Sequence, residues 1–213
     1  MARERPYFNR AVRALLDHIV QTMPEFAHIK PSRIVIVAGE ARRASRGTVK
    51  PLLYEPGTFG TAGEGKRKPI VRIRGRKMLY CITLRPLFFR ASTPKARVVT
   101  LLHELFHISP EFDGTLARTR RHSEAGREFQ KRLRPLVRRY LKLCPPELMA
   151  PFAHDGEVRV QQWLERPSTF YVPKPKAKAR RVYTEDQLFV GPLRMITRRA
   201  KAAKKVKAKL SLH

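Results

Sequence analysis

Thr93-Pro-Lys-Ala-Arg-Val-Val-Thr-Leu-Leu-His-Glu-Leu-Phe-His107 carries a helix signal and a chemical signal together. Threonine is a preferred N-cap because its hydroxyl satisfies an orphan amide of the first turn, and proline suits the first helical position. Val98, Val99, Leu101, Leu102, Leu105 and Phe106 then make a largely apolar helix that ends before Pro110. His103, Glu104 and His107 interrupt that run, and burying them without partners would be costly. Residues four apart on a helix share a face, so both imidazoles can reach one ion while Glu104 projects beside it. Neutral imidazoles suit Zn2+, and an open coordination position lets the metal activate water while a neighbouring carboxylate takes up the proton. The expected roles are His103 and His107 as metal ligands and Glu104 as the catalytic base.

Such a site needs a third protein ligand. His122 leads into the next apolar-periodic segment, and a helix starting there and packing on the first could aim its imidazole back at the metal. Asp113 stands ten residues after His103, where enzymes of the pattern HExxHxxGxxH place their third ligand, with Pro110 in the glycine position. Asp113 is otherwise suited to capping a turn with Gly114. Glu124 and His154 are further candidates.

Working outward, residues 7–23 place Ala11, Leu15, Ile19 and Val20 at helical spacing. Arg33-Ile-Val-Ile-Val-Ala38 reads as a short buried strand. Residues 39–68, rich in Gly, Lys and Arg, predict a mobile loop or a weak hairpin. Ile70 to Arg74 alternates apolar and basic, Gly75-Arg-Lys77 suits a turn, and Met78 to Leu84 continues as a strand, so a hairpin is expected across 70–84. Ala125, Phe129, Leu133, Leu136, Val137 and Tyr140 define another helix, bent at Pro135. Residues 157–164 alternate weakly, as a late strand would. Composition shifts near Arg166: from there to His213 the chain has 14 basic and 2 acidic residues. The expected division is a domain over 1–165 and a basic, largely disordered tail over 166–213, within which residues 182–196 could dock on the core.

Lys and Arg total 46 against 17 Asp and Glu, a formal net charge of +29 in 213 residues. That excess draws polyanions, nucleic acid first among them. Arg198, Arg199, Lys204 and Lys205 of the tail are candidate contacts, with Tyr171 and Tyr183 as candidate base-stacking residues. Arg72, Arg74, Arg76 and Lys77 of the hairpin, and Arg118, Arg120 and Arg121 before His122, suit either phosphate contacts or plain solvated surface. Cys81 and Cys144 are too few and too far apart for a disulfide framework or a zinc ribbon, and fit a reducing compartment. No run approaches the ~18 apolar residues of a membrane span, and no apolar segment follows the basic N-terminus, so a cytoplasmic protein without a membrane partner is expected.

The segment His103-Glu-Leu-Phe-His-Ile-Ser-Pro-Glu-Phe-Asp-Gly-Thr-Leu116, with His122 following, resembles the phage-type metallopeptidases, which read HELLHI-P-FDG-L and then a histidine. It is also similar to the SprT-like zinc proteases, whose third histidine opens a helix bearing a Gly-x-x-aromatic element; Gly126 and Phe129 have that spacing. The resemblance implies a minimal zincin-like α+β domain made of a helix, a small sheet, the HExxH helix and a supporting helix. It also implies His103, His107 and His122 as ligands of Zn2+, with Glu104 as the catalytic glutamate. The expected function is a zinc-dependent metallopeptidase acting on protein or peptide and associated with nucleic acid through its basic surface and tail. The alternative is a nucleic-acid-binding protein with a structural or vestigial zinc site. SprT-like proteins acting on DNA–protein crosslinks often carry a separate zinc ribbon, which this chain lacks, so substrate identity does not carry over.

Overall fold

Thr93 Oγ1 accepts the Ala96 amide at 3.2 Å, and the helix it caps runs Pro94–Phe106. A cap of this kind contributes about 1 kcal/mol. The structure, a computed structural model, describes residues 5–39, 46–52, 66–67, 70–117, 122–167, 172–173 and 182–196, with backbone alone at 66–67, 122–127 and 172–173. In chain order the elements are α1 (Phe8–Thr22), β1 (Ile34–Ala38), β2 (Gly47–Pro51), β3 (Lys66–Arg67), β4 (Ile70–Ile73), β5 (Arg76–Lys77), β6 (Tyr80–Leu84), α2 (Pro86–Arg90) and α3 (Pro94–Phe106). They continue as α4 (His122–Leu143), α5 (Pro146–Met149), β7 (Gly156–Trp163), β8 (Val172–Pro173), β9 (Val182–Tyr183) and β10 (Leu188–Met195). The fold is mixed α+β, as expected.

Five strands form the central sheet in the order β10-β7-β1-β6-β2. β1 runs parallel to β6, Ile34 opposite Tyr80 and Ala38 opposite Leu84, while β2 is antiparallel to β6. Both β1 and β6 are buried along their whole length. Ile34, Ile36, Tyr80, Ile82 and Leu84 join the main core with residues of α1, α3 and α4. Val35, Val37 and Cys81 instead pack with Val71, Met78 and Tyr183, from the region of the small sheet β5-β4-β9. Burial on two faces is why β1 reads as a continuous apolar run rather than an alternating one. β1 and β7 pair only at Ala38 and Gln162. Beside that pair Asn9 of α1 bridges the strands, its amide donating to the Ile36 carbonyl at 2.7 Å and its oxygen accepting the Gln161 amide at 2.8 Å.

Residues 39–68 hold more than a loop. Within them Gly47–Pro51 is β2, paired along its length with β6, and Val49 enters the core. Its own text has one apolar residue, too little for a periodicity, and the pairing comes from β6. Residues 40–45, 53–65 and 68 lie outside the described residues. The hairpin is shorter than 70–84. Arg74 (φ 49°) and Gly75 (φ 73°) form its turn, in the left-handed conformation that two-residue hairpin turns require. The return ends where the Met78 amide donates to the Val71 carbonyl at 2.8 Å, after which the chain leaves for the central sheet as β6.

The docking expected of residues 182–196 is met, and it carries the body of the protein past Arg166. β10 lies inside the expected tail, yet it pairs with β7 from Leu188 opposite Trp163 to Met195 opposite Gly156. Leu193 and Met195 are buried in the main core. The tract 198–209 lies outside the described residues, as do residues 174–181. Both cysteines are free thiols, Cys81 buried and Cys144 half-buried. No helix among the described residues is long and apolar enough to cross a membrane.

Each fully buried Leu or Met side chain contributes about 1.5–3 kcal/mol, against a total stability of ~5–15 kcal/mol. Ending the chain after Glu165 removes Leu193, Met195 and an eight-residue strand. The expected result is loss of cooperative thermal unfolding by circular dichroism; a cooperative melt close to that of the full chain would show that β10 is dispensable.

Candidate metal centre

Val98, Leu101, Leu102 and Leu105 have no exposed surface, which sets the rotation of α3 and so the direction of the polar residues in its last turn. His107 caps the C-terminus with helical dihedrals (φ −76°, ψ −17°) and keeps its relation to His103. The two ring centroids are 4.9 Å apart and the two Nε2 atoms 3.2 Å apart. Two nitrogens at neighbouring corners of a tetrahedral zinc site, each ~2.0–2.1 Å from the ion, stand roughly 3.4 Å from one another. The imidazole pair therefore fits one ion held between its Nε2 atoms.

Phe129 of α4 fixes both rings. It stacks on His107 at 4.8 Å and 22°, meets His103 edge-on at 4.9 Å, and packs on Phe106 at 5.2 Å. An aromatic wall of this kind restricts the imidazole rotamers before any ligand arrives, which lowers the ordering cost of binding.

Glu104 is 6% exposed. Burial pushes its carboxyl up to about 7, while the Val49 amide hydrogen bond and the Arg85 guanidinium pull the other way. β2 passes directly against it: a Cβ on Gly47 would stand 3.1 Å from Thr100 Cγ2 and 3.3 Å from Glu104 Oε1. Two neighbours of the site thus escaped the sequence, the Gly47–Val49 strand and the buried Arg85 at the end of β6. The available signals were slight, a glycine before Thr48-Val49 and a cation closing an apolar strand before Pro86.

Beyond His107 the chain doubles back. Ile108 bridges Leu116, and the Ala117 amide donates to the His107 carbonyl at 2.9 Å. Phe112 (φ 50°) and Gly114 (φ 91°) permit the reversal. The Tyr80 hydroxyl pins it, donating to the Thr115 carbonyl at 2.8 Å and accepting the Gly114 amide at 2.9 Å. Asp113 Oδ1 accepts the Thr115 amide and hydroxyl at 2.9 and 2.7 Å, the turn-capping use that the Asp-Gly pair suggests. Among the described residues no three His, Cys, Asp or Glu side chains group so as to hold a metal, so neither Asp113 nor His154 is brought to the imidazole pair.

His122 begins α4, seven residues before Phe129 and hence on the same helical face. Its side chain and that of Glu124 lie outside the described residues, as do Arg118, Arg120, Arg121, Tyr171, Arg198, Arg199, Lys204 and Lys205. Tyr183 is buried edge-on to Trp163 at 6.4 Å and is a packing residue in this fold.

A family model described as "Putative phage metallopeptidase" matches residues 7–143, the stretch from α1 to the end of α4. The chain matches no curated protein and no solved structure.

Replacing Phe129 by Leu keeps an apolar residue of smaller reach and removes the stacked wall. The expected effect is a roughly tenfold weaker affinity for Zn2+, at the low end for residues that orient metal ligands. Competition with a chromogenic chelator measures it, and unchanged affinity would take the positioning role from Phe129.

Proposed function

Because the chain belongs to the phage metallopeptidase family, we propose that it hydrolyses peptide bonds with Zn2+ held by His103, His107 and His122, and with Glu104 as general base. The observation that carries this reading is the 3.2 Å between two imidazole Nε2 atoms one turn apart, with a buried carboxylate in the same turn. Zn2+, when bound, supplies a Lewis acid that polarises the scissile carbonyl and lowers the pKa of water towards about 7. Glu104 takes the proton of the attacking water and passes it to the departing amine nitrogen. The Val49 amide, donating to the carboxylate, aims it for that work.

The edge of the sheet argues for a peptide over other amides. β2 pairs with β6 on one side, and among the described residues no strand covers its other side. An extended peptide laid along that edge would be held by main-chain hydrogen bonds and would run past Glu104. The competing reading, a purely structural metal, calls for a closed shell of four protein ligands. His122, which opens α4, would join the two imidazoles as a third ligand and leave one coordination position open for water.

Glu104→Gln should lower cleavage of an internally quenched peptide by about 10²–10⁴-fold while leaving zinc stoichiometry unchanged. His122→Ala should lose the metal and Asp113→Ala should keep it. Substantial cleavage by Glu104→Gln would refute the base assignment, and full zinc in His122→Ala would remove that residue from the coordination sphere.

A further inference from the structure

α4 has two unlike faces. Phe129, Leu133 and Tyr140 are buried, whereas Lys131, Arg132, Arg134, Arg138, Arg139 and Lys142 are exposed. Lys131 pairs with Glu128 at 2.6 Å and Arg139 pairs with Glu25. Arg134, Arg138 and Lys142 follow one another at four-residue spacing and form one ridge, with Lys131 at its head. No ion pair among the described residues joins these three to a carboxylate. Like charges four apart on a helix repel, so the ridge opposes the stability of the helix that carries it, and a polyanion laid along it would relieve the repulsion.

We propose that this ridge docks the phosphodiester backbone of nucleic acid. From Lys131 to Lys142 an α-helix rises ~16 Å, the axial length over which one duplex strand presents about five phosphates. Charge and reach therefore match.

The basic hairpin is a weaker candidate. There the Arg72 side chain turns back to the Gly75 carbonyl at 3.4 Å, and Glu185 accepts the Arg74 amide at 3.0 Å, so a carboxylate offsets the local field. A bilayer fits less well, because helices bind membranes through their apolar face and that face of α4 is committed to the core. The proposal does not draw on the metal, since the imidazoles meet Phe129 on the buried side of α4.

The test uses the full chain and a fluorescent duplex of mixed sequence, with anisotropy read from about 50 to 200 mM salt. Replacing Arg134, Arg138 and Lys142 by Gln should weaken binding at low salt at least tenfold and flatten the slope of log K against log salt by about 2–3. The hairpin triple Arg72→Gln, Arg74→Gln and Arg76→Gln removes the same charge and should change the slope by less than about 1. Should the α4 triple fail to fold, Arg134→Gln and Arg138→Gln singly should each flatten it by about 1. Peptide cleavage should be unaffected, and parallel arms with duplex RNA and single strands identify which nucleic acid binds best. Equal effects of the two triples would reduce the ridge to a contribution of net charge and overturn the proposal. So would an unchanged slope in the α4 variant, or a loss of binding seen only in a parallel arm with phosphatidylserine vesicles and not with nucleic acid.

Discussion

The packing of α3 is the constraint on which the site depends. Its leucines at 101, 102 and 105, with Val98, are wholly buried between the sheet and α4. A helix seated this way cannot rotate without opening cavities, and protein interiors tolerate those poorly. Its rotation in turn decides where His103, Glu104 and His107 point. The apolar residues of the motif are thus as much a part of the site as its imidazoles: Leu105 anchors the turn, and Phe106 touches the same Phe129 that holds both rings.

Glu104 shows what such seating costs and gains. A carboxylate with so little exposed surface loses most of its hydration, and its proton affinity rises accordingly. A hydrogen bond from the β2 backbone and the positive charge of Arg85 act against that rise. The same strand that steadies the carboxylate forms the end of the central sheet among the described residues, so Glu104 and that end of the sheet are placed by one element. Gly47 lets the strand pass closely, since a side chain there would meet Thr100 and Glu104 at tight van der Waals distance.

α4 joins two kinds of physics in one helix. Its inner face supplies the aromatic wall beside His103 and His107, and its outer face carries the cations. Tyr80 adds a further long-range tie, linking strand β6 of the central sheet to the loop that follows His107. That tie holds the segment after His107 in its reversal, shortly before α4 begins.

What was legible in the amino-acid text was local. A threonine cap, a proline and an apolar stripe specify α3 because helical bonds join residues four apart, and the same spacing puts two imidazoles on one face. α1, β1 and α4 were readable for similar reasons, and Gly191-Pro-Leu-Arg-Met195 even carries the alternation of β10, obscured by the basic tracts around it. The strand pairings were not legible. β2 is a strand because β6 lies beside it, β10 belongs to the body because β7 accepts it, and the 70–84 segment divides because two sheets compete for it. Sequence by itself determined the helices and the imidazole pair, whose geometry is set within one turn. Tertiary structure alone decided the strand against Glu104, the wall behind the imidazoles and the pairing of β10 with β7, since each arises where residues distant in the chain compete to be buried together.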